Sequence, residues 1–170
     1  MKSSLGRINV AVLATILLLA CSGWAQERSS AADSLLIKGE NKSITFSLSD
    51  FHSLPHVALT VHNSHTDATE NYSGARLAEL LSKVNAPLGK ELRGKAMTSY
   101  VVATGSDGYA VVLSLAEVDP EFHSGEIIVA DQQDGHPLGK DGPFRLIVSE
   151  DKRPARWVHN LVSITLKGSE

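Results

Sequence analysis

The chain has 170 residues with 16 basic and 19 acidic side chains, a net charge of −3, and a single cysteine. An acidic chain of this size gives no reason to expect nucleic acid as a partner. One cysteine excludes an internal disulfide and a multi-thiolate metal site.

The N-terminal stretch "MKSSLGRINVAVLATILLLACSGWAQE" places Lys2 and Arg7 before an apolar run from Val10 to Ala20 and then small residues. This is the layout of a secretory signal peptide, and the run is too short to read as a membrane span. Gly23 and Ala25 fit a cut before Gln26, so residues 1–25 are expected to be removed and the mature protein to be periplasmic or secreted. The alternative is a lipobox at Leu18-Leu19-Ala20-Cys21, which would make the protein a lipoprotein anchored through Cys21. Cleavage after Ala25 removes 25 of the 170 residues and two of the 16 basic ones. It leaves 145 residues with 14 basic against 19 acidic, a net −5, and no cysteine. That length suits one domain over 35–170, after a polar lead-in at 26–34.

"LLIKG" and "KSITFSL" read as strands joined by a turn at Glu40-Asn41. Ser47 and Asp50 stand at capping-box spacing, which predicts one helical turn ended by Pro55. "HVALTVHN" alternates as a strand. In "SGARLAELLSKVNAPLG", Leu77, Leu80, Leu81 and Val84 recur at i, i+3, i+4 and i+7 and predict an amphipathic helix. Ser73 is its expected cap, and Glu79 with Lys83 an i, i+4 pair on the wet side. "SYVVATGSDGYAVVLSL" reads as a hairpin turning at Gly105–Gly108, and Ser114 with Glu117 predicts a second capping box. "EIIVAD", "FRLIVS" and "LVSITLKG" are further strands, the last alternating Val162, Ile164 and Leu166 against polar residues. Many short strands with few helices predict an α+β fold with a mixed or antiparallel sheet. The helix face is expected to pack on a sheet built from strands near 100–113, 126–130, 144–148 and 161–166.

The order "YSGARLAELL", "ATGSDGYAVVLSLAEV", "IIVADQQDGHPL", "GPFRLIVSEDKRPARWVHNLVSITL" resembles the oxidoreductase molybdopterin-binding domain of the sulfite oxidase type, over about residues 43–167. The resemblance implies a sulfite-oxidase-like fold, a mixed β-sheet core with a few short helices, and a site for molybdopterin, an anionic cofactor with a terminal phosphate. It also implies that Arg145 and Arg156 take positions where the family places pterin- or phosphate-contacting cations, with Asp107 and Tyr109 in the Asp-Gly-Tyr turn as further cofactor-binding candidates. Two departures stand out. Enzymes of the family ligate molybdenum through a cysteine upstream of the helix, where this chain reads "TVHNSHTDATENYSG", and they often carry Pro-Gly where it has Ser149-Glu150. Molybdenum in these enzymes takes a soft thiolate, and imidazole would change its ligand field.

The basic knot Lys152, Arg153 and Arg156 has two readings. Guanidinium groups match phosphate as forked donors. A solvated turn, with Lys152 and Arg153 paired to Glu150 and Asp151, is the other, and Trp157 reads as core rather than as a stacking platform. His52, His56, His62 and His65 crowd one stretch, and His62 with His65 are candidate metal ligands at i, i+3. Asp67 and Glu70 are the acids nearest in sequence, and exposed loop histidines are the alternative. There is no G-x-S-x-G elbow. Three functions follow: an exported module binding a pterin-type or other small anionic ligand without its own molybdenum centre; a molybdopterin-dependent oxidoreductase with a non-cysteine ligand; or an interaction or metal-handling module that keeps only the fold. A redox or envelope protein is the expected macromolecular partner.

Overall fold

The structure, a computed structural model, describes residues 33–168. The expected leader, Cys21 and nearly all of the lead-in lie outside the described residues. The first strand, β1 (Ser34–Lys38), turns into β2 (Ser43–Ser47). Helix α1 (Leu48–His52) follows directly, because Ser47 accepts from the Asp50 backbone N–H while the Asp50 carboxylate takes the Ser47 N–H in return. β3 (Val57–Asn63) and β4 (Ala68–Arg76) form a long hairpin.

Helix α2 spans Leu77–Ser82; Arg76, which makes no side-chain capping bond, holds its N-cap position in place of Ser73, which lies inside β4. The reason is pairing. Residues 72–76 pair with β7 (Ile127–Gln133), and residues 72–74 also pair with β3 on the other side, with a bulge at Ser73/Gly74 in the β7 ladder. A Cβ at Gly74 would overlap the Val129 carbonyl and the Ala130 Cα, so only glycine lets the two strands approach. Extended pairing therefore overrides the helical spacing N-terminal to Leu77. The apolar face itself is as expected, with Leu77, Leu80, Leu81 and Val84 all buried. Glu79 pairs with Arg76, at 3.5 Å, in place of Lys83.

β5 (Tyr100–Gly105) and β6 (Ala110–Ser114) form the expected hairpin, and the second capping box starts α3 (Leu115–Val118). β7 runs into a two-residue strand, β8 (His136–Pro137), which the sequence did not reveal. β9 (Arg145–Val148) and β10 (Leu161–Lys167) complete the set. In β10 the simple alternation breaks. A register shift between Leu161 and Ser163 turns Leu161 into the core beside Ile164 and Leu166, and Val162 is left half-buried.

The strands form two sheets, not one. The first has the order β2-β1-β10-β5-β6 and is mixed, since β1 runs parallel to β10 and the other neighbours are antiparallel. The second is antiparallel, β3-β4-β7-β8, with β9 also paired to β7. Of the strands expected behind α2, those near 126–130 and 144–148 belong to the second sheet and those near 100–113 and 161–166 to the first. α2 packs on β4 and β7 of the second. One apolar core, including Phe51, Phe144, Tyr72 and Trp157, serves both sheets. No helix of the described residues is long and apolar enough to cross a membrane.

Candidate anion-binding site

Arg145 opens β9, opposite Ala130 of β7. Its side chain is only 12% exposed and lies between two aromatic rings, with Cζ 5.6 Å from the Tyr72 centroid and 5.9 Å from that of Trp157. Trp157 is core, as expected, and donates Nε1–H to the Val148 carbonyl at 2.9 Å. Arg145 Nη1 donates to the Tyr72 hydroxyl (3.0 Å) and to Asp141 (2.9 Å). Its Nε–H is buried and meets no acceptor among the described residues. An unmet donor on a buried cation is costly unless a ligand supplies the acceptor.

The residue sits in a cleft of about 740 Å³, lined also by Asn63, Ser64 and His65 from the β3–β4 turn, by Lys152, Arg153, Pro154 and Ala155, and by Trp157 and His159. The acids expected to neutralise Lys152 and Arg153 are engaged elsewhere. Asp151 takes Arg156 at 2.6 Å and Glu150 faces His123 at 3.3 Å. Lys152 and Arg153 are exposed, and no ion pair joins either to an acid among the described residues. The wall is therefore cationic.

Arg156 is placed differently. Its guanidinium bridges Asp151 and Glu117, and these hydrogen bonds raise its pKa further. It does not line the cleft but fastens the Pro154–Arg156 turn to α3. Asp107 accepts the Tyr109 backbone N–H (2.9 Å) in the β5–β6 turn, where Gly108 takes a positive φ of 84°. The Tyr109 hydroxyl reaches across to the Ala155 carbonyl at 2.6 Å. Asp107 and Tyr109 thus brace the cleft from outside. His65 lines it, whereas His62 lies 3.5 Å from Asp67 on the surface, and the two histidines do not meet in a metal-donor group.

Beneath the cleft lies a buried polar network that the sequence did not announce. Glu70 accepts from Tyr72 (2.7 Å), from Asn63 (3.0 and 3.1 Å) and from Thr66 (3.0 Å). Burial alone would push the Glu70 carboxyl up, but these bonds and the Arg145 charge outweigh it and hold the pKa below its ordinary 4.5. The Tyr72 hydroxyl is pushed up by burial and by its bond to Glu70, so it stays protonated and passes a donor to Glu70 while accepting from Arg145. Glu117 is also held low: bonds from Ser114 and Arg156 outweigh its desolvation.

A carboxylate with a depressed folded pKa stabilises the protein above its unfolded value, and that stability is lost as pH falls through the folded one. Melting temperature is therefore expected to fall as pH drops below about 4.5, the range set by Glu70 and Glu117. Glu70→Gln should lower stability at neutral pH and flatten this acid limb. An unchanged acid limb in thermal melts of the variant would remove Glu70 from the account.

No protein-family model matches the sequence, and no curated protein matches it. Ten chains of solved structure do match. Among them is the sulfane dehydrogenase SoxCD from Paracoccus pantotrophus, with a TM-score of 0.61 and 18% identity, covering 83% of this chain and 40% of that one. The chain thus spans less than half the length of the enzyme chain it matches. At this identity the likeness is one of fold: the chain has the α+β, sulfite-oxidase-like fold, with mixed β-sheet and short helices, that its motif order implied.

Proposed function

We propose that the chain is an exported module of this fold that binds a pterin-type or similar anionic ligand in the Arg145 cleft, without a thiolate-held molybdenum centre of its own. The observation that carries the reading is that Arg145, whose buried Nε–H is unmet, lines a cleft together with Lys152 and Arg153, which form no ion pair with an acid among the described residues. A phosphate oxygen would satisfy the donor, and Lys152 and Arg153 would add charge at the rim. The donor set suits the organic part of the cofactor and not its metal. Where the resemblance puts a ligating cysteine, the cleft presents Asn63, Ser64 and His65, and Cys21 is the only thiol in the sequence. Molybdenum bound beside them would lack the soft ligand that completes its sulfur-rich shell.

The ligand's chemistry can be read from the wall. Titrating the protein with a pterin monophosphate and with pyrophosphate separates ring recognition from anion recognition. The double variant K152M/R153M should weaken both and reduce the dependence on salt, because exposed charges act through a screened field. Arg156→Met should act indirectly, by loosening the turn, with a lowered melting temperature. Binding that is indifferent to K152M/R153M and to salt would contradict the proposal.

A further inference from the structure

A guanidinium carries five N–H donors and no acceptor. In Arg145 the two on Nη1 are both spent, one on the Tyr72 hydroxyl at 3.0 Å and one on Asp141 at 2.9 Å. The donors that remain are the one on Nε and the two on Nη2. Nη2 has no hydrogen-bond partner among the described residues, and unlike Nε it is not sealed from solvent. The unused donors therefore share one edge of the group. The Nε–H and the neighbouring Nη2–H on that edge run parallel, and they match two terminal oxygens carried by one phosphorus, sulfur or carbon atom.

The choice of edge is built in from below. Glu70, held ionised by its hydrogen bonds, can only accept, and it takes the single Tyr72 hydroxyl proton at 2.7 Å. Tyr72 is left with lone pairs to offer, so it accepts from Arg145. Asp141 closes the short Gly139–Asp141 helical turn ahead of β9 and accepts from the same nitrogen. The Tyr72 and Trp157 rings hold the guanidinium from two further sides. With Nη1 fixed in this way, Nε and Nη2 are the donors that Arg145 has left to offer in the cleft it lines.

On the reading that this cleft binds an anion, we propose that Arg145 takes the anion side-on, through Nε–H and Nη2–H together, and that Tyr72 and Asp141 are positioning residues that set a preference for oxyanions over spherical anions of equal charge. The ligand class is one that presents a phosphate, sulfonate or carboxylate group with two free oxygens. Lys152 and Arg153 are exposed, with no partner among the described residues to fix their geometry, and they add charge rather than shape.

The test follows the Arg145 Nε–H resonance of the ¹⁵N-labelled protein, assigned by its absence in Arg145→Lys, as pyrophosphate is added. The signal should shift, and its exchange with water should slow at saturation. Displacement of the pyrophosphate by nitrate and by bromide, two monovalent anions compared at equal ionic strength, then reads shape. Nitrate should displace it at a several-fold lower concentration. Tyr72→Phe should bring the two competitors together, whereas Asp141→Asn, which keeps an acceptor for Nη1, should preserve the difference. A resonance that stays in place while calorimetry shows pyrophosphate bound, or equal competition by nitrate and bromide, would overturn the side-on contact and leave a site that reads charge alone. Both of those readouts use the wild-type protein and stand even if Tyr72→Phe folds poorly. A folded Tyr72→Phe protein with the full preference would overturn the positioning role of Tyr72. Absence of any pyrophosphate binding would remove the anion reading of the cleft, and the side-on contact with it.

Discussion

Gly74→Val is expected to destabilise the protein by at least about 3 kcal/mol, with the loss visible in denaturant melts. The new side chain would occupy the space of the Val129 carbonyl and the Ala130 backbone, and neither can retreat without breaking the pairing of β4 with β7. That pairing ties the β3–β4 hairpin, which supplies Asn63, Ser64 and His65 to the cleft, to the strand that faces Arg145. Ser73→Ala is the paired control. A helix N-cap would cost about 0.5–2 kcal/mol when removed, but Ser73 is a strand residue here and the change should cost less. A large loss at Ser73 with a small one at Gly74 would return the helix start to the position that sequence spacing suggests.

This pair of residues shows where the sequence was legible. Signals that depend on neighbours three or four positions apart came through: both capping boxes, the apolar face of α2 and the β5–β6 turn formed as expected. Signals that depend on distant chain did not. Ser73 has good capping chemistry, and only the approach of β7, more than 50 residues later, makes Gly74 a contact glycine. The division of the strands into two sheets and the two-residue β8 are likewise set by pairing and carry no local mark.

The sites follow the same rule. The place of Arg145 at the start of β9 was legible because it opens a recognisable strand within a familiar order of motifs. The separate fates of Arg156 and of Lys152 with Arg153 were not, because they turn on which cation captures Asp151, and Glu117 of α3 tips that choice toward Arg156. His52 and His56 drew notice as part of a histidine-rich stretch. The buried acid that both contact, Asp131, lies 75 residues beyond His56, out of reach of any spacing argument.

Arg145→Met carries the second large effect. A charge-assisted hydrogen bond contributes about 1.5–3 kcal/mol, so loss of the Arg145 contact should weaken anion binding roughly 10- to 150-fold. The substitution also leaves the Tyr72 hydroxyl and Asp141 without a donor and takes a positive charge away from Glu70. A drop in stability is therefore expected alongside the loss of binding. Arg145→Lys separates the two effects. It keeps the charge near Glu70 but not the forked guanidinium, and so should restore much of the stability and little of the affinity. Recovery of full affinity in Arg145→Lys would show that the cleft reads charge alone.

The proposed pterin and anion site in the Arg145 cleft, without a thiolate-held molybdenum, has one decisive check. It is tested most directly by quantifying molybdenum and pterin in the protein purified from a host that makes the cofactor. Molybdenum is expected far below one atom per chain, with a phosphorylated pterin either co-purifying or binding on addition and lost in Arg145→Met. Stoichiometric molybdenum that survives gel filtration would contradict it and would make His65, which lines the cleft, the first residue to examine as a ligand.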